Sequence, residues 1–344
     1  MEYRNLGGSG CSVSAFALGT MTFGEATDED GAFAQLDTFI EAGGTLVDTA
    51  DVYSGGVSET IIGKWLASRP DGVTDRVVLA TKGRFPVSDE PNGAGLSRRH
   101  LDKALTASLR RLSIDTIDLY QVHAWDPLTP IEETLSFLDG AVRAGKIRYI
   151  GLSNFTGWQV QKTVDIAEFG GLARPVTLQP QYNLLAREVE WEIVPACESA
   201  GLGLLPWSPL AGGILTGKYR RDAQPASGAR LANDRYIPFM APRTQEQRTW
   251  EVIDTLKAIA DERGVLVSQV ALAWLAGRPA VSSVILGART LEQLDDNLGA
   301  SELVLSDKEN ERLNLASQPS VDYPYGGMAL GQRRREIGGG WPVR

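Results

Sequence analysis

Residues 45–53 read TLVDTADVY, residues 77–82 read VVLATK and residues 117–123 read IDLYQVH. Each segment is a short apolar run that ends in polar residues, which is the pattern of a buried strand in a parallel sheet. Strands of this kind that alternate with helices close into a barrel, and their carboxyl ends meet on one face. The three segments therefore predict a barrel that carries polar, chemically active side chains on that face.

Further apolar runs extend this pattern in both directions along the chain. They place the barrel strands at Ala15–Leu18, Thr45–Asp48, Val77–Thr81, Ile117–Val122, Ile147–Leu152, Val176–Gln179, Gly203–Pro206 and Val281–Leu286. Helical patterns separate the strands, and one of them has Thr129 as its cap and Pro130 at its first helical position. The segments at 3–6 and 11–13 flank a glycine-rich turn and predict a hairpin that plugs the barrel floor. The predicted fold is α/β, a (β/α)8 TIM barrel.

Two segments interrupt the alternation of strands and helices. Gly212–Pro242 follows the seventh strand and is too long for an ordinary strand-to-helix loop, so we expect a binding loop over the active face. The tail, Gln318–Arg344, carries aromatic residues among glycines and prolines. We expect it either to be disordered at its end or to lie over the active face as a wall of the substrate pocket.

Composition limits the classes of function. With 43% hydrophobic residues, 344 residues can bury one large core, so we expect one domain over 1–344, with the barrel at 3–314 and a tail at 315–344. A net charge of −9 argues against a nucleic-acid partner. The sequence shows no signal peptide and no apolar run of about 18 residues, so we expect a soluble, cytoplasmic protein without membrane contact. Cys11 and Cys197 lie far apart and indicate neither a disulfide framework nor a metal site.

Four residues at the strand ends combine into an acid–base site: Asp48, Tyr53, Lys82 and His123. A nearby ammonium favours the phenolate of a tyrosine, and a carboxylate keeps that ammonium charged. We expect Lys82 to lower the phenol pKa of Tyr53 by roughly two units, which makes Tyr53 a usable general acid, while His123 orients the substrate oxygen. Considered one at a time, each residue also has a structural interpretation. Asp48 could cap a strand end and Tyr53 could be a wall residue. Lys82 could be a surface lysine and His123 a half-buried imidazole. His100 lies between charges in a helical pattern and is expected to have a structural or surface role.

A series of motifs resembles the aldo-keto reductase family. They are GTMTFG (19–24), VDTADVYSGGVSETIIGKWL (47–66), VLATKG (78–83), LDKALTASLRRLSIDTIDLYQVH (101–123), GKIRYIGLSNF (145–155), LQPQYNLL (178–185) and GARTLEQLDDNL (287–298). The matches come in the family's order and run from about residue 3 to 314. By this resemblance, Asp48, Tyr53, Lys82 and His123 correspond to the catalytic tetrad of the family, and none of them departs from its pattern.

The resemblance also implies a nicotinamide cofactor, although the sequence lacks the usual dinucleotide fingerprint. Gly201–Pro206 has no third glycine and precedes a strand. In barrels a phosphate often sits at a helix N-terminus near the last strand, where Arg289 can fork onto it. An arginine at this position favours NADPH as the cofactor, and NADH is the less expected alternative. The alternative is that Thr290 and Gln293 form a capping box and Arg289 is merely exposed.

The family's pattern implies the remaining cofactor contacts. They are Gly19, Thr20, Met21 and Asp48 near the ribose and ring edge, Ser153, Asn154 and Gln179 at the carboxamide, Trp207 stacked on the nicotinamide, Ser208, Leu210, Gly212 and Lys218 along the pyrophosphate, and Gly287, Arg289, Gln293 and Asn297 toward the adenosine. Trp207 is otherwise most simply a core aromatic.

The predicted reaction is reversible hydride transfer between NADPH and the carbonyl carbon of a small aldehyde or ketone, without a metal. Met21, Phe23, Phe85 and Trp125 are candidate walls of a partly apolar pocket, and each is also a reasonable core residue. Two alternatives stay open. One is a dehydrogenase acting mainly on secondary alcohols of sugars or polycyclic natural products, since the same residues run both directions. The other is an accessory subunit of a potassium channel, which we expect less because no long extension precedes the first strand.

Overall fold

The computed structural model describes residues 1–221, 243–320 and 323–326. The strands are β1 Tyr3–Asn5, β2 Ser12–Ser14, β3 Phe16–Gly19, β4 Leu46–Asp48, β5 Val78–Gly83, β6 Ile117–Val122, β7 Ile147–Ser153, β8 Pro175–Gln179, β9 Gly203–Leu204 and β10 Val284–Gly287. The α-helices are α1 Glu29–Glu41, α2 Val57–Ser68, α3 Asp71–Thr74, α4 Arg98–Leu112, α5 Ile131–Arg143, α6 Gly157–Phe169, α7 Ile193–Ala200, α8 Gln247–Arg263, α9 Val267–Ala276, α10 Leu291–Leu298 and α11 Asp307–Ala316. Short 3₁₀ segments lie at Tyr53–Gly56, Glu188–Glu190, Ala211–Thr216 and Gly299–Glu302.

Strands β3 to β10 form one parallel sheet that closes into a barrel. Their order in the sheet is β10-β3-β4-β5-β6-β7-β8-β9, so the strands from β3 to β9 pair in sequence order and β10 pairs with β3. The two edges are joined by backbone hydrogen bonds, in which Leu204 N–H donates to Ala280 O over 2.7 Å and Ile285 N–H donates to Pro206 O over 3.0 Å. Helices connect the parallel strands, as such crossovers require. The predicted (β/α)8 barrel is confirmed.

The strand positions agree with the prediction except near the closure. The predicted seventh strand, 203–206, ends in the structure at Leu204, because Pro206 has no N–H to donate to a ladder. The eighth begins at Val284 instead of Val281, which pairs only through a single bridge to Leu204. Helix α5 also starts one residue later than predicted, since Pro130 is its N-cap and Ile131 its first helical residue.

The hairpin β1–β2 closes the amino-terminal end of the barrel. Leu6 and Val13 are fully buried and pack with barrel residues such as Leu46 and Leu119 in a core cluster separate from the outer one. Between the two strands, Gly7 has a φ of +58°, and a Cβ there would lie 1.9 Å from the carbonyl oxygen of Val176. The turn therefore needs glycine, both for its left-handed backbone and for its close approach to the barrel floor. The hairpin prediction is confirmed, with bounds shifted by one residue.

The outer helices cover the barrel with one apolar face each. In α5, Ile131, Leu135 and Leu138 are buried and recur at helical spacing, while Glu132 and Glu133 occupy the first turn. Acidic residues in the first turn also complement the positive end of the helix dipole. This arrangement places loops and helix N-termini above the carboxyl ends of the strands.

The two segments predicted to interrupt the alternation are described only in part. The loop predicted at 212–242 begins as the 3₁₀ segment Ala211–Thr216, and its residues 222–242 lie outside the described residues. Of the tail, 321–322 and 327–344 lie outside them as well. Tyr325 stacks on Trp191 with ring centroids 5.7 Å apart and donates a hydrogen bond to Glu192, just before α7. No helix in the described part of the chain is long and apolar enough to cross a membrane.

Candidate active site

The structure brings the four predicted acid–base residues together at the carboxyl ends of β4, β5 and β6. Asp48 ends β4, Lys82 lies within β5, and Tyr53 opens the 3₁₀ segment that follows β4. The Lys82 ammonium Nζ donates to Asp48 Oδ2 over 2.5 Å, to the Thr49 carbonyl over 2.7 Å and to the Tyr53 hydroxyl over 3.3 Å. Lys82 is fully buried. It therefore joins the carboxylate to the phenol directly.

His123 follows β6 and faces the phenol of Tyr53. Their ring centroids are 6.0 Å apart at an interplanar angle of 78°, and the centroid of the Phe85 ring lies 4.6 Å from that of the imidazole. Burial lowers the pKa of His123 to about 2, and the charges of Lys82 and Arg84 act in the same direction. The imidazole is therefore neutral at physiological pH, with one N–H donor.

Burial outweighs the ammonium in setting the acidity of Tyr53. It raises the phenol pKa above its ordinary value of 10.0, while the charge of Lys82 lowers it by less. The expected net lowering by roughly two units is therefore wrong. Burial alone would lower the pKa of Lys82, but the Asp48 carboxylate and the Tyr53 phenol raise it overall. At neutral pH the arrangement keeps Tyr53 protonated and Lys82 charged, which suits a proton donor whose conjugate base forms beside a cation.

Two glutamine amides hold the second carboxylate oxygen of Asp48. Gln121 Nε2 donates to Asp48 Oδ1 over 3.0 Å, and Gln179 Nε2 donates to the same oxygen over 2.9 Å. Both glutamines are buried. Gln121 was not predicted as a site residue, although the sequence carries a signal for it: Gln121 and His123 lie two residues apart, and alternate residues of a strand share a face.

A second group of predicted residues meets above β7, β8 and β9. Asn154 Nδ2 donates to the His123 carbonyl over 3.0 Å, and the Trp207 indole N–H donates to Asn154 Oδ1 over 3.0 Å. Ser153 Oγ donates to the Gln179 carbonyl over 3.0 Å. Asn154 has a φ of +55°, an unfavourable conformation for a residue with a Cβ. Such strain is concentrated at functional sites, and here it turns the Asn154 side chain toward His123 and Trp207.

The loops after β3 and β10 pack against each other. Gly19 and Gly287 pair in register, and the Thr20 hydroxyl donates to the Asp48 carbonyl over 3.0 Å. The Thr22 hydroxyl donates to the Ala288 carbonyl over 3.0 Å. Met21 lies between them and is exposed. The predicted ribose and ring-edge residues therefore lie beside both the acid–base site and the start of α10.

The N-terminus of α10 is capped by side chains. Thr290 Oγ1 accepts from Gln293 N–H over 3.3 Å, and Gln293 Oε1 accepts from the Arg289 N–H over 3.0 Å. The capping alternative thus holds for Thr290, although Gln293 binds the residue before the cap and not the cap itself. Arg289 is half-buried, Gln293 is exposed, and Asn297 is buried on the inner side of the helix.

The segment after β9 offers a glycine-lined turn with a cation. Gly212 and Gly213 have φ values of +63° and +94° within Ala211–Thr216. A Cβ on Gly213 would lie 2.9 Å from Lys218 Nζ, so glycine permits the ammonium to approach the backbone. Ser208 also has a positive φ, +54°. Exposed backbone groups, a lysine and a helix N-terminus fit the charge of a dinucleotide phosphate.

Aromatic side chains surround the mouth of the site, but one predicted wall residue is misplaced. Phe23 is fully buried and belongs to the hydrophobic core, so it cannot line a pocket. Trp125 is half-buried, and its ring lies 5.3 Å from the ring of Trp158. Trp158 is 57% exposed and was not predicted. Its position in the first turn of α6, directly after the Ser153–Phe155 motif, is the sequence signal that could have identified it.

A second buried polar cluster lies behind the acid–base site. Glu59 pairs with Arg111 over 2.6 Å and accepts a hydrogen bond from Thr81. Both carboxylate oxygens of Asp51 are buried and have no hydrogen-bond partner among the described residues. Burial raises the pKa of Asp51 to about 7, and the charge of Glu59 adds to the effect. Ionisation of the Asp51 carboxyl is therefore disfavoured in the folded protein.

Comparison with known proteins gives the same family over most of the chain. Residues 15–317 match the aldo/keto reductase family. The chain is 40% identical over 321 residues to the uncharacterized oxidoreductase YrpG of Bacillus subtilis, which covers 91% of this chain and 94% of that protein. It is 38% identical to a probable voltage-gated potassium channel subunit beta of rice, Oryza sativa, over 88% of this chain and 92% of that protein. It is 33% identical to the versiconal hemiacetal acetate reductase of Aspergillus parasiticus, over 94% and 99%.

Proposed function

The chain belongs to the aldo/keto reductase family of oxidoreductases, and on that premise we propose that it reduces the carbonyl group of an aldehyde or ketone with NADPH, reversibly. The observation that carries the proposal is the contact of one buried ammonium, Lys82 Nζ, with both Asp48 and the hydroxyl of Tyr53. A phenol placed in this way beside a neutral imidazole is a proton donor aimed at a substrate oxygen.

The chain's own residues supply the proton and the electrostatic stabilisation. A nicotinamide cofactor, when bound, would supply the hydride that the carbonyl carbon accepts. Tyr53 donates its proton to the carbonyl oxygen as negative charge develops there, and His123 donates an N–H to the same oxygen. Lys82 lies 3.3 Å from the Tyr53 hydroxyl and stabilises the phenolate that remains. In the oxidation of an alcohol, the phenolate takes the proton back.

The proposal of NADPH rests on Arg289 at the start of α10. A guanidinium forks onto a phosphate with two parallel hydrogen bonds, and a helix N-terminus adds favourable partial charge. Gln293, which accepts from the Arg289 backbone, holds that residue at the helix start. Lys218 beside Gly213 provides a second cation, suited to the pyrophosphate. Ser153, Asn154 and Gln179 surround the place proposed for the carboxamide.

One relative's name supports a different role, that of a potassium channel subunit. All four acid–base residues lie together in this chain, which favours catalysis over the role of a channel subunit as its main function. The Aspergillus relative is named a reductase, which supports reduction over the alternative of a dehydrogenase acting mainly on secondary alcohols.

A substrate panel tests the proposal. The purified protein is mixed with aldehydes, ketones and secondary alcohols, and oxidation of NADPH or NADH, or reduction of the oxidised forms, is followed by absorbance. We expect at least one carbonyl compound to be reduced, with NADPH the preferred cofactor. If no carbonyl compound or alcohol in the panel supports turnover although the protein binds NADPH, the catalytic proposal is wrong.

A further inference from the structure

Gln121 lies between two residues of the proposed site and contacts both. It is fully buried in β6. Its Nε2 donates to Asp48 Oδ1 over 3.0 Å, and its Oε1 accepts from Gln179 Nε2 over 3.2 Å. Gln179 Nε2 also donates to Asp48 Oδ1, so the three side chains form a closed set of hydrogen bonds.

The chemistry of Asp48 decides the orientation of both amides. An ionised carboxylate only accepts hydrogen bonds, and Asp48 Oδ2 accepts from the Lys82 ammonium over 2.5 Å. Gln121 must therefore turn its NH₂ group toward Asp48, which leaves its carbonyl oxygen toward Gln179. That oxygen can only accept, so Gln179 must present its NH₂ group as well. The carbonyl oxygen Oε1 of Gln179 is then the amide atom that neither Asp48 nor Gln121 engages.

We infer that Gln121 is a positioning residue, which fixes the amide of Gln179 so that its carbonyl oxygen accepts an N–H from a bound ligand. The inference rests on the proposed function, because the ligand group that fits is the primary carboxamide of a nicotinamide. Gln121 does not touch the ligand. Without it, Gln179 keeps a single tie to Asp48, and its amide is free to rotate about that hydrogen bond.

The test compares two dinucleotides in two variants. NADP⁺ carries a carboxamide with an NH₂ donor, and its 3-acetylpyridine analogue carries a methyl group in place of the NH₂. Both dissociation constants are measured by quenching of tryptophan fluorescence, so the readout does not depend on turnover. The variant is Gln121→Met, which keeps the side-chain length and removes both hydrogen bonds. Gln35→Met is the matched control, because Gln35 is also buried but its amide has no hydrogen-bond partner among the described residues.

We expect the wild type and Gln35→Met to bind NADP⁺ more tightly than the analogue, by roughly three- to tenfold, the equivalent of one hydrogen bond. In Gln121→Met this preference should fall below about twofold. Gln121→Glu should keep the preference, because a buried carboxyl beside the Asp48 carboxylate holds its proton, donates a hydrogen bond to Asp48 and still accepts from Gln179 through its other oxygen. Should Gln121→Met not fold, Gln121→Asn replaces it, since the shorter amide cannot span both partners.

The outcomes separate this inference from the proposed function. If Gln121→Met discriminates between the dinucleotides as the wild type does, or if the wild type binds both equally, the inference is overturned while the proposed function stands. If the wild type binds neither dinucleotide, the proposed function fails and the inference fails with it.

Discussion

Lys82→Met should destabilise the protein far more than the loss of an equally short ion pair at the surface. The Lys82–Asp48 pair is 2.5 Å long, with side chains 0% and 3% exposed. Removing one partner of a buried pair leaves an uncompensated charge and costs about 3–5 kcal/mol. For a chain of 344 residues we expect the melting temperature to drop by about 4–7 °C. The comparison is Lys64→Met, whose pair with Glu29 is also 2.5 Å long but has side chains 55% and 45% exposed, where about 0–1 kcal/mol is expected.

Most of the cost of Lys82→Met should disappear when the Asp48 carboxylate is replaced by a neutral amide. In the background of Asp48→Asn, Lys82→Met leaves no buried charge, so its further cost should fall to roughly 1 kcal/mol in a double-mutant cycle. Because the pKa of Lys82 is raised in the folded protein, the contribution of the pair is complete below about pH 10 and is lost as the pH rises through that raised value. Thermal melting followed by circular dichroism measures the wild type, the three single variants and the double variant. Equal costs for Lys82→Met and Lys64→Met, or additive effects in the cycle, would refute the reasoning.

Two further substitutions test the cofactor proposal and the cluster behind the site. Arg289→Ala should weaken NADPH by about 1.5–3 kcal/mol and leave NADH nearly unchanged in a fluorescence titration, with a smaller NADPH loss at high salt; equal weakening of both cofactors would mean that Arg289 supports the loop in general. Asp51→Asn should raise the melting temperature more at pH 8 than at pH 4. The raised pKa of Asp51, about 7, means that the folded chain holds a proton between pH 4 and 7 that the unfolded chain releases, so the wild type loses up to about 1.4 kcal/mol per pH unit across that window. An equal gain at both pH values would show that Asp51 ionises normally.

The barrel could be predicted because burial leaves a simple pattern in the sequence. Strands such as β6, Ile117–Val122, are apolar runs between helical patterns, and their bounds were predicted correctly. The ends of β9 and β10 could not be, because they depend on which backbone groups meet at the closure. Val281 looks like a strand residue by composition, but it pairs only through one bridge to Leu204.

Within the site, the sequence predicted which residues come together but not the direction of their pKa shifts. The four acid–base residues lie together, as their positions at strand ends predicted. The direction of the Tyr53 pKa depends on the balance between burial and the charge of Lys82, and a sequence shows neither burial nor distance. Asp51 illustrates the same limit. Nothing in the sequence marks Asp51 as buried, but it is 2% exposed in the structure.

The side chains that line the mouth of the site were the hardest residues to predict from the sequence. Phe23 and Met21 are two residues apart, yet Phe23 is fully buried and Met21 is 37% exposed. The loop that carries them has no regular period, so alternation gives no guide to the direction of each side chain. Trp158, by contrast, lies in the first turn of α6, directly after the Ser153–Phe155 motif that the sequence does identify.

The most direct test of the central claim is the turnover of Tyr53→Phe with NADPH and the best carbonyl substrate of the panel. The substitution removes the proposed proton donor and keeps the ring, and Tyr3→Phe, on the hairpin away from the site, controls for the loss of a hydroxyl. We expect turnover to fall by at least the ~10²-fold that a positioned acid contributes, with the dissociation constant of NADPH unchanged. Turnover within a few-fold of wild type would contradict the assignment of Tyr53 as the general acid.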